Sequence, residues 1–411
     1  MKILIVNASD IEGGAARASY RLHEALLKQN IDSKMLVQSK GSDNFTVLAS
    51  TSKIIKLIDK LRPTLDNLPV RFYKNKAKTL FSPSWLGFNS IVGRINSINP
   101  DIVHLHWVCG GMMSINDIAK INAPIVWSLH DDWVFTGGCH IKWDCDKYKQ
   151  SCGACPRLGS HNENDLSRKI FLKKKRALSK KKNLVIIGLS KWLVECAKNS
   201  SLLKERQVLN LPNPINTDIF KPFNRGRSRE LWSLPNDKKL VLFGAMNPIN
   251  DINKGFNELC TALAKLKDKT IEVVVFGSSK PLEPPDYGLK THYLGCLYDD
   301  VSLVTLYSAV DVMVVPSLQE NLSNAIMESL SCGTPVVGFD TGGNSDLIEH
   351  KRTGYLARAF DSGDLARGIE WLIYNDSYSE LCKNARNKVL NEFESVSVVK
   401  KYIHLYSSLV D

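Results

Sequence analysis

What these 411 residues lack narrows the field first. No run of about 18 apolar residues occurs, which excludes a membrane-spanning helix on length. Residues 1–7 are apolar only briefly and run into Asp10 and Glu12, unlike a secretory leader, so a cytoplasmic protein is expected. There is no internal repeat and no low-complexity tract. No Asp-x-Asp stands at a strand end; Asp144-Cys-Asp146 has the letters but lies among cysteines. Negative charge is scarce in the first half. Through Leu211, 33 Lys and Arg face 17 Asp and Glu, and afterwards 21 face 25, so the halves carry +16 and −4 within the overall +12.

With 44% hydrophobic residues the chain can bury two ordinary cores, and its length suggests two or three domains. Short apolar runs recur at 3–6, 35–37, 47–49, 102–105, 125–129 and 185–189. They resume at 240–243, 271–276, 292–294, 312–315, 336–339 and 355–356. Helix-length segments separate them, which predicts parallel sheets with right-handed crossovers: an α/β chain of two doubly wound domains side by side. Ligands in such sheets bind beyond the carboxyl ends of the strands. Residues 394–410 read as a final helix.

The densest cluster of candidate chemistry is Pro316-Ser-Leu-Gln-Glu320-Asn-Leu-Ser-Asn-Ala-Ile-Met-Glu328. It runs from an apolar strand into a helix that the Cys332-Gly333 pair should close. A helix start offers free N–H groups and positive dipole to a diphosphate, while Glu320 and Glu328 can accept hydrogen bonds from a hexose and a ribose. Two glutamates at this spacing also suit a solvated helix face. Asp340-Thr-Gly-Gly-Asn344 forms a second glycine turn after the next buried strand. Lys254, before Gly255 at another helix start, can reach phosphate oxygens; the plain alternative is an exposed lysine. His130 ends a buried strand, where an imidazole can bond a sugar or simply be satisfied in the structure. His104 and His106 end the preceding strand on one face, and His106 is a weaker candidate.

Met1-Lys-Ile-Leu-Ile-Val-Asn7 with Glu12-Gly13-Gly14-Ala-Ala, the block from Glu320 to Glu328, and Asn213-Pro-Ile-Asn-Thr-Asp-Ile-Phe220-Lys-Pro222 together resemble the family 4 glycosyltransferases over nearly the whole chain. The resemblance implies a retaining enzyme of GT-B architecture, two facing Rossmann-like domains with a cleft between them. It places an acceptor-side domain at 1–211, a nucleotide-sugar domain at 212–392 and a returning helix at 393–411. It implies that Gly13 and Gly14 face the diphosphate or the acceptor, and that His130 agrees with the family's histidine. Lys254 is the expected cation. Glu320 binds sugar hydroxyls without forming a covalent bond, Asn321, Leu322 and Ser323 meet the donor, and Glu328 holds its ribose. The family's arginine after this glycine is missing, since Gly244 is followed by Ala-Met-Asn247. Lys254 is then the principal cation and Asn247 a neutral donor. No catalytic metal is expected.

Cys139, Cys145, Cys152 and Cys155 fall within 17 residues inside the stretch 131–165, which has neither helical nor strand periodicity. Four thiols ending in Cys-x-x-Cys suit a structural zinc ion; free or redox-active thiols and an iron–sulfur cluster are the alternatives. The Thr136-Gly-Gly-Cys139-His140 segment resembles colanic-acid-type polysaccharide glycosyltransferases, and the loop is expected to shape the acceptor pocket. Residues 168–182 pack nine cations around apolar positions, and 53–78 add a looser basic stretch. Phe171 is the one aromatic among the lysines of 168–182, too little to stack successive bases, so an anionic membrane surface fits better than nucleic acid. The resulting expectation is a peripheral inner-membrane-face enzyme moving a hexose from a nucleotide-sugar to a lipid-linked oligosaccharide for capsule, exopolysaccharide or O-antigen. Rival readings are another GT-B enzyme such as a sugar-nucleotide epimerase, and a zinc-bearing nucleic-acid-binding protein.

Overall fold

The computed structural model describes residues 1–87, 90–244, 251–277, 280 and 287–410. The chain divides into two compact units, Met1–Pro214 with Val396–Asp411, and Ile215–Ser395.

The first unit holds seven parallel strands: β1 (Lys2–Ser9), β2 (Asp32–Ser39), β3 (Val47–Leu48), β4 (Ile102–Leu105), β5 (Ile125–Leu129), β6 (Leu184–Gly188) and β7 (Gln207–Asn210). Their order is β3-β2-β1-β4-β5-β6-β7. Central strands such as Ile-Val-His-Leu of β4 and Ile-Val-Trp-Ser-Leu of β5 are buried at every position, as expected of a parallel sheet covered on both faces. The sequence runs anticipated all of these strands but β7. Gln-Val-Leu-Asn sits at the sheet edge with both ends exposed, so it offers no apolar run to read.

The second unit repeats the design with β8 (Leu240–Gly244), β9 (Glu272–Phe276), β10 (Thr291–Tyr293), β11 (Val312–Val315), β12 (Val336–Phe339) and β13 (Gly354–Ala357), ordered β10-β9-β8-β11-β12-β13. In both units the winding reverses once, between β1 and β4 and between β8 and β11. That reversal opens a crevice at the carboxyl ends of those strands, the place where such sheets bind ligands.

The C-terminal helix Ser395–Val410 belongs to the first unit, where Tyr402 and Tyr406 are wholly buried. The Tyr406 hydroxyl bonds His104 Nδ1 at 2.7 Å, and Ser128 Oγ bonds His104 Nε2 at 2.8 Å. His104 is therefore a satisfied core histidine; burial pushes its pKa down to about 3.

The stretch 131–165 is ordered without strands. Three short 3₁₀ turns, Trp133–Phe135, Lys147–Lys149 and Pro156–Leu158, carry buried side chains. Asp132 accepts the Lys142 amide at 2.7 Å and Asp165 accepts the Cys155 amide at 2.8 Å.

The basic run 168–182 departs from its sequence reading at Lys174, while Lys169, Lys175, Arg176, Lys180 and Lys182 are exposed. In the helix Leu166–Ser179 the buried positions are Ser167, Ile170, Phe171, Lys174, Ala177 and Leu178. Lys174 thus lies on the inward stripe, not on a basic surface. Its ammonium donates to the carbonyls of Trp133 and, at 3.1 Å, Thr136, and sits 3.6 Å from the Trp133 ring centroid. Burial pushes its pKa down to about 7.

Candidate functional site

In the second unit two loops leaving β8 and β11 are stitched together at the winding reversal. The Leu318 amide donates to the Asn253 carbonyl at 2.8 Å, and Asn253 Nδ2 returns a 2.8 Å bond to the Gln319 carbonyl. Asp251 caps the short turn Ile252–Lys254 by accepting the Asn253 amide. Gly255, at φ 65°, then lies so close to β11 that a Cβ would stand 1.8 Å from the Pro316 carbonyl oxygen. On the other side Gly342, at φ 57°, touches Glu320; a Cβ there would be 1.9 Å from the Glu320 carbonyl oxygen, which accepts the Gly343 amide at 3.0 Å. Only glycine satisfies both the left-handed backbone and the close approach.

These contacts bring Lys254 and Glu320 together. Lys254 Nζ donates to Glu320 Oε1 at 2.8 Å, and Ser317 Oγ donates to the same oxygen at 2.9 Å. The pair is half-buried, and the Glu320 charge raises the Lys254 pKa against the opposing effect of burial, so the ammonium stays charged. Asn321, Leu322 and Ser323 follow directly, with Ser323 at the N-terminal cap of the helix Asn324–Ser331 and no side-chain cap bond there. Glu328 is on that helix but points inward; it is 4% exposed and accepts the Tyr307 hydroxyl at 2.9 Å. Asn247 lies outside the described residues. Ser317, Asn253 and Gly342 were not singled out from sequence, although the Thr341-Gly-Gly turn signalled the last.

In the first unit Gly13 and Gly14 begin the helix Gly14–Lys28 after β1, again without a side-chain cap. Asn7, in β1, accepts the Trp107 amide at 2.8 Å, tying the ends of β1 and β4. His130 follows β5, and its Nε2 bonds His106 Nδ1 at 2.8 Å. Burial holds His130 down to about 4 and His106 well below the ordinary imidazole value, so both are neutral near pH 7. His106 Nε2 is buried with no hydrogen-bond partner among the described residues. Beside them Asp131 Oδ2 accepts from His140 Nδ1 at 2.6 Å and from Trp107 Nε1 at 3.0 Å, and His140 Nε2 bonds Ser82 Oγ at 2.8 Å. Asp, His and Ser stand in the order of a hydrolytic triad, but Ser82 is 4% exposed. A buried hydroxyl cannot meet an acyl substrate, so the chain serves as a staple between the cysteine loop and residues 81–82.

Cys139, Cys145, Cys152 and Cys155 line one cavity with Lys142, Lys147 and Arg157. Its free volume of about 10 Å³ admits about one water-sized body. All four are free thiols, and burial raises Cys139, Cys155 and Cys152, the last to about 12. The donor chemistry fits zinc. The arrangement does not yet: among the described residues no three His, Cys, Asp or Glu side chains are set to hold one ion.

Residues 237–375 match the family model described as "Glycosyl transferases group 1". An uncharacterized glycosyltransferase of Methanocaldococcus jannaschii is 25% identical over 342 residues, 76% of this chain and 85% of that protein. D-inositol 3-phosphate glycosyltransferase of Mycolicibacterium smegmatis is 30% identical over 176 residues, and this match spans only 40% of either chain. Sucrose-phosphate synthase of Thermosynechococcus elongatus superposes with a TM-score of 0.70 at 18% identity, covering 100% and 99% of the two chains. Anabaena HepE in complex with UDP-glucose gives 0.64 at 16%, covering 99% and 100%. WaaG, a glycosyltransferase involved in lipopolysaccharide biosynthesis, gives 0.67 at 16%, covering 98% and 99%. The family match is confined to residues 237–375, and the two doubly wound sheets have the GT-B fold of these solved structures. Among the described residues no helix is long and apolar enough to cross a membrane.

Proposed function

We propose that this chain is a retaining glycosyltransferase that moves a hexose from a nucleotide-sugar to a lipid-linked oligosaccharide in surface-polysaccharide assembly. The carrying observation is the Lys254–Glu320 pair at the reversal point between β8 and β11, inside the matched group 1 domain. HepE, of the same fold, binds UDP-glucose, which supports a donor of that kind.

Departure of a nucleoside diphosphate loads negative charge onto phosphate oxygens. Lys254 is the cation placed to absorb it, and the amides of Leu322 and Ser323 add dipoles at the helix start. Glu320, fixed by Ser317 and Gly343, orients sugar hydroxyls through its carboxylate. Glu328 reaches a ribose only by sharing its bond with Tyr307. His130 is neutral and has Nε2 occupied by His106, so Nδ1 is the atom it offers to a sugar hydroxyl. The assigned roles of these groups require no metal ion. Zinc, where the cysteine loop takes it up, would hold that loop and supply no chemistry to transfer; the four thiols must rotate toward one another to bind it.

The test is a thermal-shift screen of nucleotide-sugars followed by product analysis with a polyprenyl-diphosphate-linked glycan. A donor at about 100 times its Kd should stabilise the protein by about 2.7 kcal/mol. The product's new linkage should keep the donor's anomeric configuration. Inversion, or conversion of the donor with no transfer to any acceptor, sinks the reading.

A further inference from the structure

The helix Lys53–Asp66 is built inside out. The positions turned toward the body of the first unit are polar: Asp59 pairs with Arg62 at 3.0 Å, Arg62 Nη1 donates to the Gly111 carbonyl at 3.1 Å, and Asp66 accepts the amides of Ser84 and Trp85, each at 3.2 Å. Only Arg62 and Asp66 of its 14 residues are buried. Its aliphatic residues Ile54, Ile55, Leu57, Ile58, Leu61 and Leu65 are all exposed, with Ile54 at 72%, Leu57 at 62% and Leu61 at 53%. Five of them recur at helical spacing, 54, 57, 58, 61 and 65, so they form one stripe. Phe72 extends the apolar surface at 85% exposure.

The charge around this stripe has one sign. Lys53, Lys56 and Lys60 on the helix, and Arg71, Lys74, Lys76 and Lys78 after it, are exposed. Between 53 and 78 the carboxylates are Asp59 and Asp66, and both are turned inward. A protein partner would need a matching apolar groove ringed with acid. An anionic bilayer offers both properties over any area, hydrocarbon below and negative headgroups above.

We propose that the helix Lys53–Asp66, with Phe72, is the membrane-docking element, lying in the headgroup plane with its aliphatic stripe inserted. The proposal deepens the lipid-linked reading above and relocates the contact from residues 168–182, where Lys174 is buried.

The experiment is vesicle flotation of the full chain with phosphatidylcholine alone and with rising phosphatidylglycerol, read together with hydrogen exchange. Wild type should float with anionic vesicles, and amides across 53–72 should gain protection only then. Ile54→Ser/Leu57→Ser/Leu61→Ser should lower binding on the order of a hundredfold, and Lys53→Gln/Lys56→Gln/Lys60→Gln about tenfold or more, with a weaker salt dependence. Both variants should keep wild-type melting, since the altered side chains are exposed. The lysine variant still decides if the serine variant does not fold. Equal flotation of wild type and variants overturns the helix assignment and leaves membrane recruitment standing. Wild type that never floats overturns both. Protection of 53–72 that rises with protein concentration without vesicles would assign the stripe to a second copy of this chain and overturn the proposal.

Discussion

Lys254 and Glu320 lie 66 residues apart in sequence and 2.8 Å apart in space, joined as an ion pair. In this arrangement the ammonium is committed to the carboxylate. A diphosphate must therefore share Lys254 with Glu320, and a sugar hydroxyl must share Glu320 with Ser317.

Glu320→Gln and Lys254→Ala should each reduce turnover on the order of a hundredfold or more while melting stays near wild type, because the pair acts on charge developing in transfer. Steady-state rates check this; near-normal turnover in either variant removes that residue from its assigned role.

Gly255→Ala and Gly342→Ala should each destabilise the second unit by about 2 kcal/mol or more, since the new methyl meets a carbonyl oxygen and the backbone is left-handed. Donor-induced stabilisation should vanish with them. A melt and a donor titration that both match wild type would show the loops held by other means.

Acid should weaken the first unit through its histidines. His130 and His104 are held down to about 4 and about 3 by burial, against 6.5 for a free imidazole. The unfolded chain then binds more protons below pH 6.5, so stability present above that value is lost as pH falls toward the folded values, at about 1.4 kcal/mol per pH unit for each histidine. Chemical denaturation across pH 4–7 should show this slope, reduced in His104→Gln. Turnover between pH 6 and 8 should carry no step from His130.

Metal analysis of protein purified without chelator should give about one zinc per chain, lost in Cys152→Ser/Cys155→Ser. Absence of zinc with all four thiols titratable would assign them as free.

Lys174→Gln should cost about 1–3 kcal/mol through the bonds it removes from the carbonyls of Trp133 and Thr136, and should leave vesicle binding unchanged. Loss of binding without loss of stability would return the basic run 168–182 to the surface role its letters suggest.

Most of the sheet architecture was legible because central parallel strands are written as unbroken apolar runs, Val312–Val315 being the plainest. The edge strand Gln207–Asn210 was not, since half of it faces water. Lys174 was legible in principle: it lies four residues after Ile170 and three after Phe171, on the stripe that period 3.6 sends inward. Counting charges hid what periodicity shows. Around the site, Lys254 and Glu320 stood out by residue type and motif, whereas their pairing depends on Asn253, Ser317 and Gly342, whose roles exist only once β8 and β11 are neighbours. The outward turn of the helix Lys53–Asp66 was beyond reading, because periodicity finds a stripe without saying which side of it meets the protein.

The bond between His104 and Tyr406 spans 302 positions, and its consequence lies in how the chain is made. Ile215–Ser395 is an insertion within the first unit, so a ribosome releases all of it before the helix that carries Tyr402 and Tyr406. Until that helix arrives, the nascent first unit presents His104 and an apolar surface with nothing over them, and it must wait in that state while its neighbour folds. Completion of the first unit is thus timed by the 16 codons of that helix. A nascent chain stalled after Ser395 should expose this surface to chaperones, although every strand of both sheets has already been synthesised.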